Sequence, residues 1–247
     1  MGLATLIFGV LSYAIFFATF LYLIVFVGGD ALAFLGAPKT IDAGAAAAFA
    51  PAALQNIALL LLFGASHSVM ARPGFKSWWV KIVSWPAERS VYVLVASLIL
   101  LLMFAWWRPM PEIVWTMTGG WARLMLVLLF AGFGIVLVST FLINHFDLFG
   151  LKQVWEKFRS AAPTHDPFKT PALYKATRHP IYLGFTIAFW ATPTMTAGHL
   201  LFASVLTIYM LVAIGYEERD LIARFGDDYR RYMERVPMLF PFGGRKG

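Results

Sequence analysis

Four polar residues at the two ends of one apolar segment have the types and the spacing to bind a charged small molecule. Arg178 and His179 stand before Pro180, and Glu217 and Glu218 close the segment. Proline lacks an N–H group and has a preset φ, so Pro180 fits the first position of a helix and leaves free backbone donors there. A helix N-terminus binds anions. These groups could hold a zwitterion, with its carboxylate at the helix start and its ammonium group or ribose hydroxyls at the glutamates.

The segment between these ends is predicted to fold back on itself as a helical hairpin. Its two apolar arms, Pro180 to Thr192 and His199 to Tyr216, are separated by a break at Thr192-Pro193-Thr194. At a rise of about 1.5 Å per residue, the return arm regains the starting level near Ala213, and the two glutamates lie about one turn beyond it. The hairpin therefore brings its two ends together. Both arms are short for a membrane crossing, so five and six full crossings both fit the sequence.

The composition is that of an integral membrane protein. Of the 247 residues, 60% are hydrophobic and only 13% are charged, far from the balance of a soluble domain. There is no cysteine, which excludes disulfides, thiolate catalysis and cysteine–metal sites. An attacking sulfur atom must therefore belong to a substrate. Nothing in the pattern of the basic residues supports binding to nucleic acid.

We predict an all-α fold, a polytopic membrane helix bundle with four spans followed by the C-terminal helical hairpin. Long apolar runs predict the spans at Leu3 to Val27, Ala52 to Val69, Val91 to Trp107 and Trp121 to Ile143. In this order, 17 of the 20 lysines and arginines fall on one side, and basic residues accumulate on the cytoplasmic side. Both termini and a cytoplasmic-face pocket are expected there, with membrane lipid around the spans.

A single membrane domain, 1–247, is expected from this order. Its parts would be the four spans (1–143), a cytoplasmic segment (144–179), the hairpin (180–216) and a cytoplasmic tail (217–247).

Histidines near the same membrane face are candidates for proton transfer. His67 lies near the end of the second span, and His145 follows the fourth span; either could serve as a general base. His145 and Asp147 share a side only in an extended loop, where the carboxylate would orient the ring. The alternatives are that His67 only packs between helices and that the charges at the helix ends only anchor the helices in the headgroups. No pair of ligands has helical spacing on one face, so we expect no metal site.

The last 70 or so residues combine several motifs in a fixed order. They are Arg178-His179-Pro180-Ile181-Tyr182-Leu183-Gly184, Glu217-Glu218-Arg219-Asp220-Leu221, Phe225-Gly226, Tyr229, Tyr232 and Val236-Pro237. The combination resembles the integral-membrane methyltransferases of the isoprenylcysteine carboxyl and phospholipid methyltransferase group. The resemblance implies S-adenosylmethionine as the cofactor, with its carboxylate near His179 and its polar groups near the two glutamates. The implied cofactor-binding residues are Arg178, His179, Pro180, Tyr182, Leu183, Gly184, Glu217 and Glu218.

Three stretches upstream, 66–73, 88–92 and 144–153, extend the resemblance over nearly the whole chain. They are similar to a bacterial branch of this group that methylates a small thiol, except that Lys152 stands where arginine is expected. This implies a bacterial inner-membrane enzyme that transfers the sulfonium methyl group to a thiolate, with His145, Asp147 or His67 in catalysis. One alternative is a prenylated cysteine carboxylate or a phospholipid amine as the acceptor. Another is a non-catalytic membrane protein that moves or senses a small molecule, as proposed for relatives near nitrogen-oxide metabolism.

Overall fold

The computed structural model describes residues 2–36, 38–45, 47–162, 164 and 167–241. The long helices are α1 (Gly2–Gly28), α2 (Phe49–Ala71), α4 (Trp85–Trp106), α5 (Gly119–Ile143) and α9 (Ala197–Phe225), and all five are long and apolar enough to cross a membrane. The shorter elements are α3 (Pro73–Trp79), β1 (Ile113–Thr116), α6 (His145–Leu148), α7 (Leu151–Phe158), α8 (Pro180–Trp190), β2 (Thr194–Thr196) and α10 (Asp227–Arg235), with 3₁₀ helices at Gly29–Leu35 and Ala172–Lys175. The predicted all-α polytopic bundle is confirmed.

The two ends of the bundle differ in character. One end, which we call the charged end, carries α3, α6, α7 and α10 and the start of α1. At the opposite end, β1 and β2 form an antiparallel ladder that pairs Ile113 with Thr196 and Thr116 with Thr194. We call this the ladder end. These strands have only four and three residues, too few to show the alternation of polar and apolar residues that predicts a strand. They were therefore not predicted from the sequence.

A half-buried carboxylate, Asp42, lies at the ladder end. The Thr196 hydroxyl donates to the Asp42 Oδ1 atom at 2.7 Å. Burial raises the pKa of Asp42 to about 6, although the hydrogen bond from Thr196 opposes the shift. His199 also lies at this end, fully buried, with its Nε2 atom 2.8 Å from the Phe189 carbonyl oxygen.

The hairpin has unequal arms. Helix α8 has 11 residues, about 17 Å of rise, whereas α9 has 29 residues. The return arm was predicted to end at Tyr216, but α9 continues to Phe225, because its last two turns keep helix-forming residues up to the Gly226 cap. Glu217 and Glu218 therefore lie inside a helix and not at its exit.

Two glycines fix the position of α8 against α5. A Cβ atom on Gly132 would lie 2.6 Å from the carbonyl oxygen of Gly184, and a Cβ atom on Gly184 would lie 2.6 Å from that of Gly132. Only glycine permits such an approach of two helix backbones. This crossing sets the height at which α8 begins, and with it the height of His179.

Candidate functional site

The structure brings the two ends of the hairpin into direct contact, as the rise per residue predicts. The Arg178 Nε atom donates to the Glu218 Oε1 atom at 2.7 Å, and the His179 Nε2 atom lies 3.0 Å from the same oxygen. The Tyr182 hydroxyl donates to the Glu217 Oε2 atom at 2.9 Å. The side chain of Glu218 is nearly buried, whereas that of Glu217 is 44% exposed to solvent. Glu217 is therefore the carboxylate that remains accessible to a ligand.

Arg178 fastens the C-terminal tail over this opening. One terminal guanidinium nitrogen donates to the Met233 and Val236 carbonyl oxygens at 3.1 and 2.6 Å. The backbone N–H groups of Arg178 and His179 donate to the carbonyl oxygens of Pro237 and Met238. Arg178 was predicted to bind a ligand, but most of its hydrogen-bond donors instead bond to Glu218 and to the backbone of the C-terminal tail.

The start of α8 has backbone donors that the helix does not use. Pro180 occupies the first position, and the first intrahelical bond runs from the Leu183 N–H group to the His179 carbonyl oxygen. The N–H groups of Ile181 and Tyr182 precede that bond, and no side chain caps the helix in the described part of the chain. An anion placed here would meet both groups and the positive end of the helix.

Three tyrosines extend the site away from the hairpin opening. The Glu217 carboxylate lies within electrostatic reach of the hydroxyls of Tyr92, Tyr182 and Tyr209. All three tyrosines are partly exposed and come from α4, α8 and α9. We call this group of three tyrosines and Glu217 the tyrosine cleft. Tyr92 falls in the stretch 88–92, to which no role was assigned from the sequence, and Tyr209 was not predicted. Both could have been found, because a hydroxyl inside an apolar span needs a polar partner and often marks a functional site.

His67 joins the tyrosine cleft through Tyr92. The Tyr92 hydroxyl lies 2.8 Å from the His67 Nε2 atom and 3.1 Å from its Nδ1 atom. The ring of His67 stacks on Phe63 with the centroids 5.3 Å apart. Next to it, the Ser68 hydroxyl donates to the Tyr209 hydroxyl at 3.2 Å. Of the three predicted catalytic residues, His67 is the one that these contacts link to the cleft.

His145 has partners other than the predicted one. Its Nε2 atom lies 2.7 Å from the Tyr13 hydroxyl, and its Nδ1 atom lies 2.8 Å from the Thr140 hydroxyl. The Asp147 carboxylate accepts a hydrogen bond from Gln153 at 3.0 Å instead. Residues 145–148 form the helical turn α6 and not an extended loop, so two residues of separation place the side chains on different faces. The extended loop that an orientation of His145 by Asp147 requires is therefore not present, and the catalytic roles of the two residues stay a prediction.

His145 is also buried, apart from the tyrosine cleft. The ring is 3% exposed and stacks on Phe141 with the centroids 4.0 Å apart. Burial lowers the pKa of His145, which favours the neutral form of the ring.

A buried hydroxyl without a partner fits a polar ligand near the hairpin opening. The Tyr229 side chain of α10 is 2% exposed, and its hydroxyl has no hydrogen-bond partner among the described residues. Burial, and next the charge of Glu218, raises the pKa of Tyr229. Buried polar groups in proteins are almost always satisfied. The orphan hydroxyl, the free helix start and the accessible carboxylate are together the donor and acceptor set that an amino acid zwitterion needs.

These features define a class of protein: a polytopic α-helical membrane protein with a cluster of polar and charged side chains at the opening of a short hairpin. Among the described residues, no group of three His, Cys, Asp or Glu side chains is arranged to hold a metal ion.

Comparisons with known proteins identify the family. The family model described as "NnrU protein" matches residues 56–238. Methanethiol S-methyltransferase 1 of Bradyrhizobium diazoefficiens is 54% identical over 237 residues, which are 96% of this chain and 81% of that protein. Methanethiol S-methyltransferase of Mycobacterium tuberculosis is 49% identical over 242 residues, 98% of this chain and 97% of that protein. Nurim of Bos taurus is 32% identical over 178 residues, 67% of this chain and 66% of that protein. No solved structure matches.

The chain belongs to the NnrU protein family and to the family of the methanethiol S-methyltransferases. This membership confirms the resemblance to thiol-methylating membrane enzymes.

Proposed function

We propose that this protein methylates methanethiol to dimethyl sulfide with S-adenosylmethionine as the methyl donor. The observation that carries the proposal is the near-full-length identity of 54% to an enzyme named for this reaction. The hairpin opening supports the choice of donor, because its charged groups complement the amino acid part of S-adenosylmethionine.

The residues at the hairpin opening would hold the cofactor. The N–H groups of Ile181 and Tyr182, with His179 beside them, would bind its carboxylate, and Glu217 would bind its ammonium group. Pro180 keeps the helix start open, and Gly184 seats α8 against α5. Leu183 contributes the first helical hydrogen bond, and Arg178 and Glu218 hold the tail and His179 in place. When bound, S-adenosylmethionine supplies an electrophilic methyl group on a positive sulfonium.

The tyrosine cleft would receive the thiol. A thiol reacts as its thiolate, and an alkyl thiol is mostly protonated at neutral pH. His67 would take the proton, and the hydrogen bond with Tyr92 would fix the orientation of its ring. His145 with Asp147 stays the second candidate base. The aromatic rings of Phe63, Tyr92 and Tyr209, which pack around His67 and each other, would favour a small apolar acceptor over a long lipid chain.

We further propose a bacterial inner-membrane location with the charged end toward the cytoplasm. The excess of lysine and arginine on the connectors and tail at that end supports this orientation. The division into spans 1–143, a cytoplasmic segment 144–179, a hairpin 180–216 and a tail 217–247 goes with it; its last six residues lie outside the described residues. Cofactor would then enter from the cytoplasm, and thiol from the lipid.

The test is an assay of the purified protein in detergent with S-adenosylmethionine and methanethiol. Dimethyl sulfide should appear in the headspace, and His179→Ala should abolish it because the ring that braces Glu218 is lost. Glu234→Gln, an exposed change on α10, is the matched control and should retain activity. A protein that S-adenosylhomocysteine stabilises but that makes no dimethyl sulfide would refute the acceptor and favour a lipid acceptor. A protein that shows neither response would refute the proposal as a whole.

A further inference from the structure

Positive charge surrounds the side of the tyrosine cleft where His67 lies. Arg72 ends α2, Lys76 lies on α3, and Arg89 lies in the first turns of α4. The Arg89 guanidinium lies over the ring of Tyr92, 5.4 Å from its centroid. It also acts electrostatically on His67. Arg89 therefore lies beside the His67–Tyr92 pair.

The carboxylates nearby do not cancel this charge. Arg72 pairs with Asp220 at 3.0 Å. Arg89 instead donates its Nε hydrogen to the Leu148 carbonyl oxygen at 2.9 Å, and no carboxylate pairs with it in the part of the chain that the structure describes. Burial lowers the pKa of Lys76, and the charge of Arg89 lowers it further, against the opposing effect of Glu88. A cation without a carboxylate partner among the described residues thus lies beside the His67–Tyr92 pair.

We propose that Arg89, with Lys76 behind it, makes the acceptor side of the tyrosine cleft a subsite for a small anion, the thiolate form of the acceptor. The proposal rests on the proposed function and names the charge state in which the acceptor binds. Arg89 is a positioning residue: its permanent charge favours the anion without taking a proton. The charged and titratable groups around this subsite are His67, Arg72, Lys76, Glu88, Arg89, Tyr92, Tyr182, Tyr209, Glu217 and Asp220.

The reaction balances with this subsite. The thiol S–H bond breaks, and the proton goes to His67 and then to solvent. A new S–CH₃ bond forms on the acceptor while the S–CH₃ bond of the sulfonium breaks, so the anion and the sulfonium neutralise each other. The products are dimethyl sulfide, S-adenosylhomocysteine and one proton. Alcohols and amines of the same size would be rejected, because an alcohol ionises far less readily than a thiol and an amine ionises to a cation.

The test compares Arg89→Gln with Arg89→Lys, which keeps the charge, and with Arg159→Gln as a control. Arg159 is an exposed arginine at the end of α7, and it lies over Trp155 much as Arg89 lies over Tyr92. Binding is read from the thermal shift produced by sodium hydrosulfide, whose anion imitates a thiolate, and by methanol as a neutral probe. Both are added to protein saturated with S-adenosylhomocysteine. Turnover of methanethiol is measured against pH in parallel.

For Arg89→Gln we expect hydrosulfide to bind about tenfold more weakly than it binds the wild type. We also expect the acid limb of the pH–rate profile to move up by about one pH unit, because the loss of a neighbouring opposite charge typically shifts a pKa by about that much. Arg89→Lys should restore most of both effects, and Arg159→Gln should show neither. An Arg89→Gln protein with unchanged hydrosulfide binding and an unshifted acid limb would overturn the proposal, even if its overall rate fell. A wild-type protein that S-adenosylhomocysteine does not stabilise would refute the proposed function instead.

Discussion

Replacing Glu218 with glutamine tests whether this carboxylate holds the hairpin opening closed. Glu218 accepts hydrogen bonds from Arg178 at 2.7 Å and from His179 at 3.0 Å, and its side chain is 13% exposed. Removing one partner of a fully buried ion pair destabilises a protein by about 3–5 kcal/mol. Glutamine keeps one acceptor oxygen, and Arg178 retains the Met233 and Val236 carbonyls. We therefore expect a smaller loss, about 2 kcal/mol, close to that of one charge-assisted hydrogen bond.

The assay is thermal unfolding in detergent with and without S-adenosylhomocysteine. For a chain of this length, a loss of about 2 kcal/mol lowers the apparent melting temperature by about 4–8 °C. The ligand should also stabilise Glu218→Gln less than the wild type, because His179 loses its brace at the helix start. Glu234→Gln on α10 removes an exposed carboxylate and should change neither quantity. If Glu218→Gln had the melting temperature and the ligand response of the wild type, the conclusion that Glu218 joins the two ends of the hairpin would be refuted.

Three further predictions address other parts of the molecule. Gly132→Ala should lower the apparent melting temperature by more than Gly134→Ala, because a Cβ atom on Gly132 meets the α8 backbone whereas one on Gly134 meets open space; equal shifts would refute the close crossing. Because the pKa of Asp42 is raised to about 6 from 3.8, the folded state holds this proton more tightly, so stability should fall as pH rises from about 4 to 6, and Asp42→Asn should flatten that part of the profile. His67→Ala should lower turnover more than His145→Ala at equal S-adenosylhomocysteine affinity, and the reverse order in a headspace assay would make His145 the base.

The sequence was informative where a physical rule links residues along one chain segment. The contact between the Arg178–His179 pair and the two glutamates follows from the rise per residue of the hairpin, and four of the five long helices follow from apolar length. The full length of α9 was not predicted, because the return arm was expected to end at Tyr216. Contacts between distant elements have no such rule. The pairing of His145 with Tyr13, 132 residues away, and that of Tyr92 with His67 depend on how helices pack, which apolar surfaces alone do not specify.

The glycine crossing explains why a charged site can lie within a membrane helix bundle. From Gly132 to the end of α5 is about 17 Å, whereas from Gly184 back to the start of α8 is only about 6 Å. Helix α8 therefore begins about 10 Å short of the end of α5, because the two helices run antiparallel at the crossing. The free N–H groups of Ile181 and Tyr182 lie at the start of α8, where the Tyr182 hydroxyl donates to Glu217. In the proposed reaction, a charged cofactor from the aqueous side and an apolar thiol from the lipid side would meet at this level.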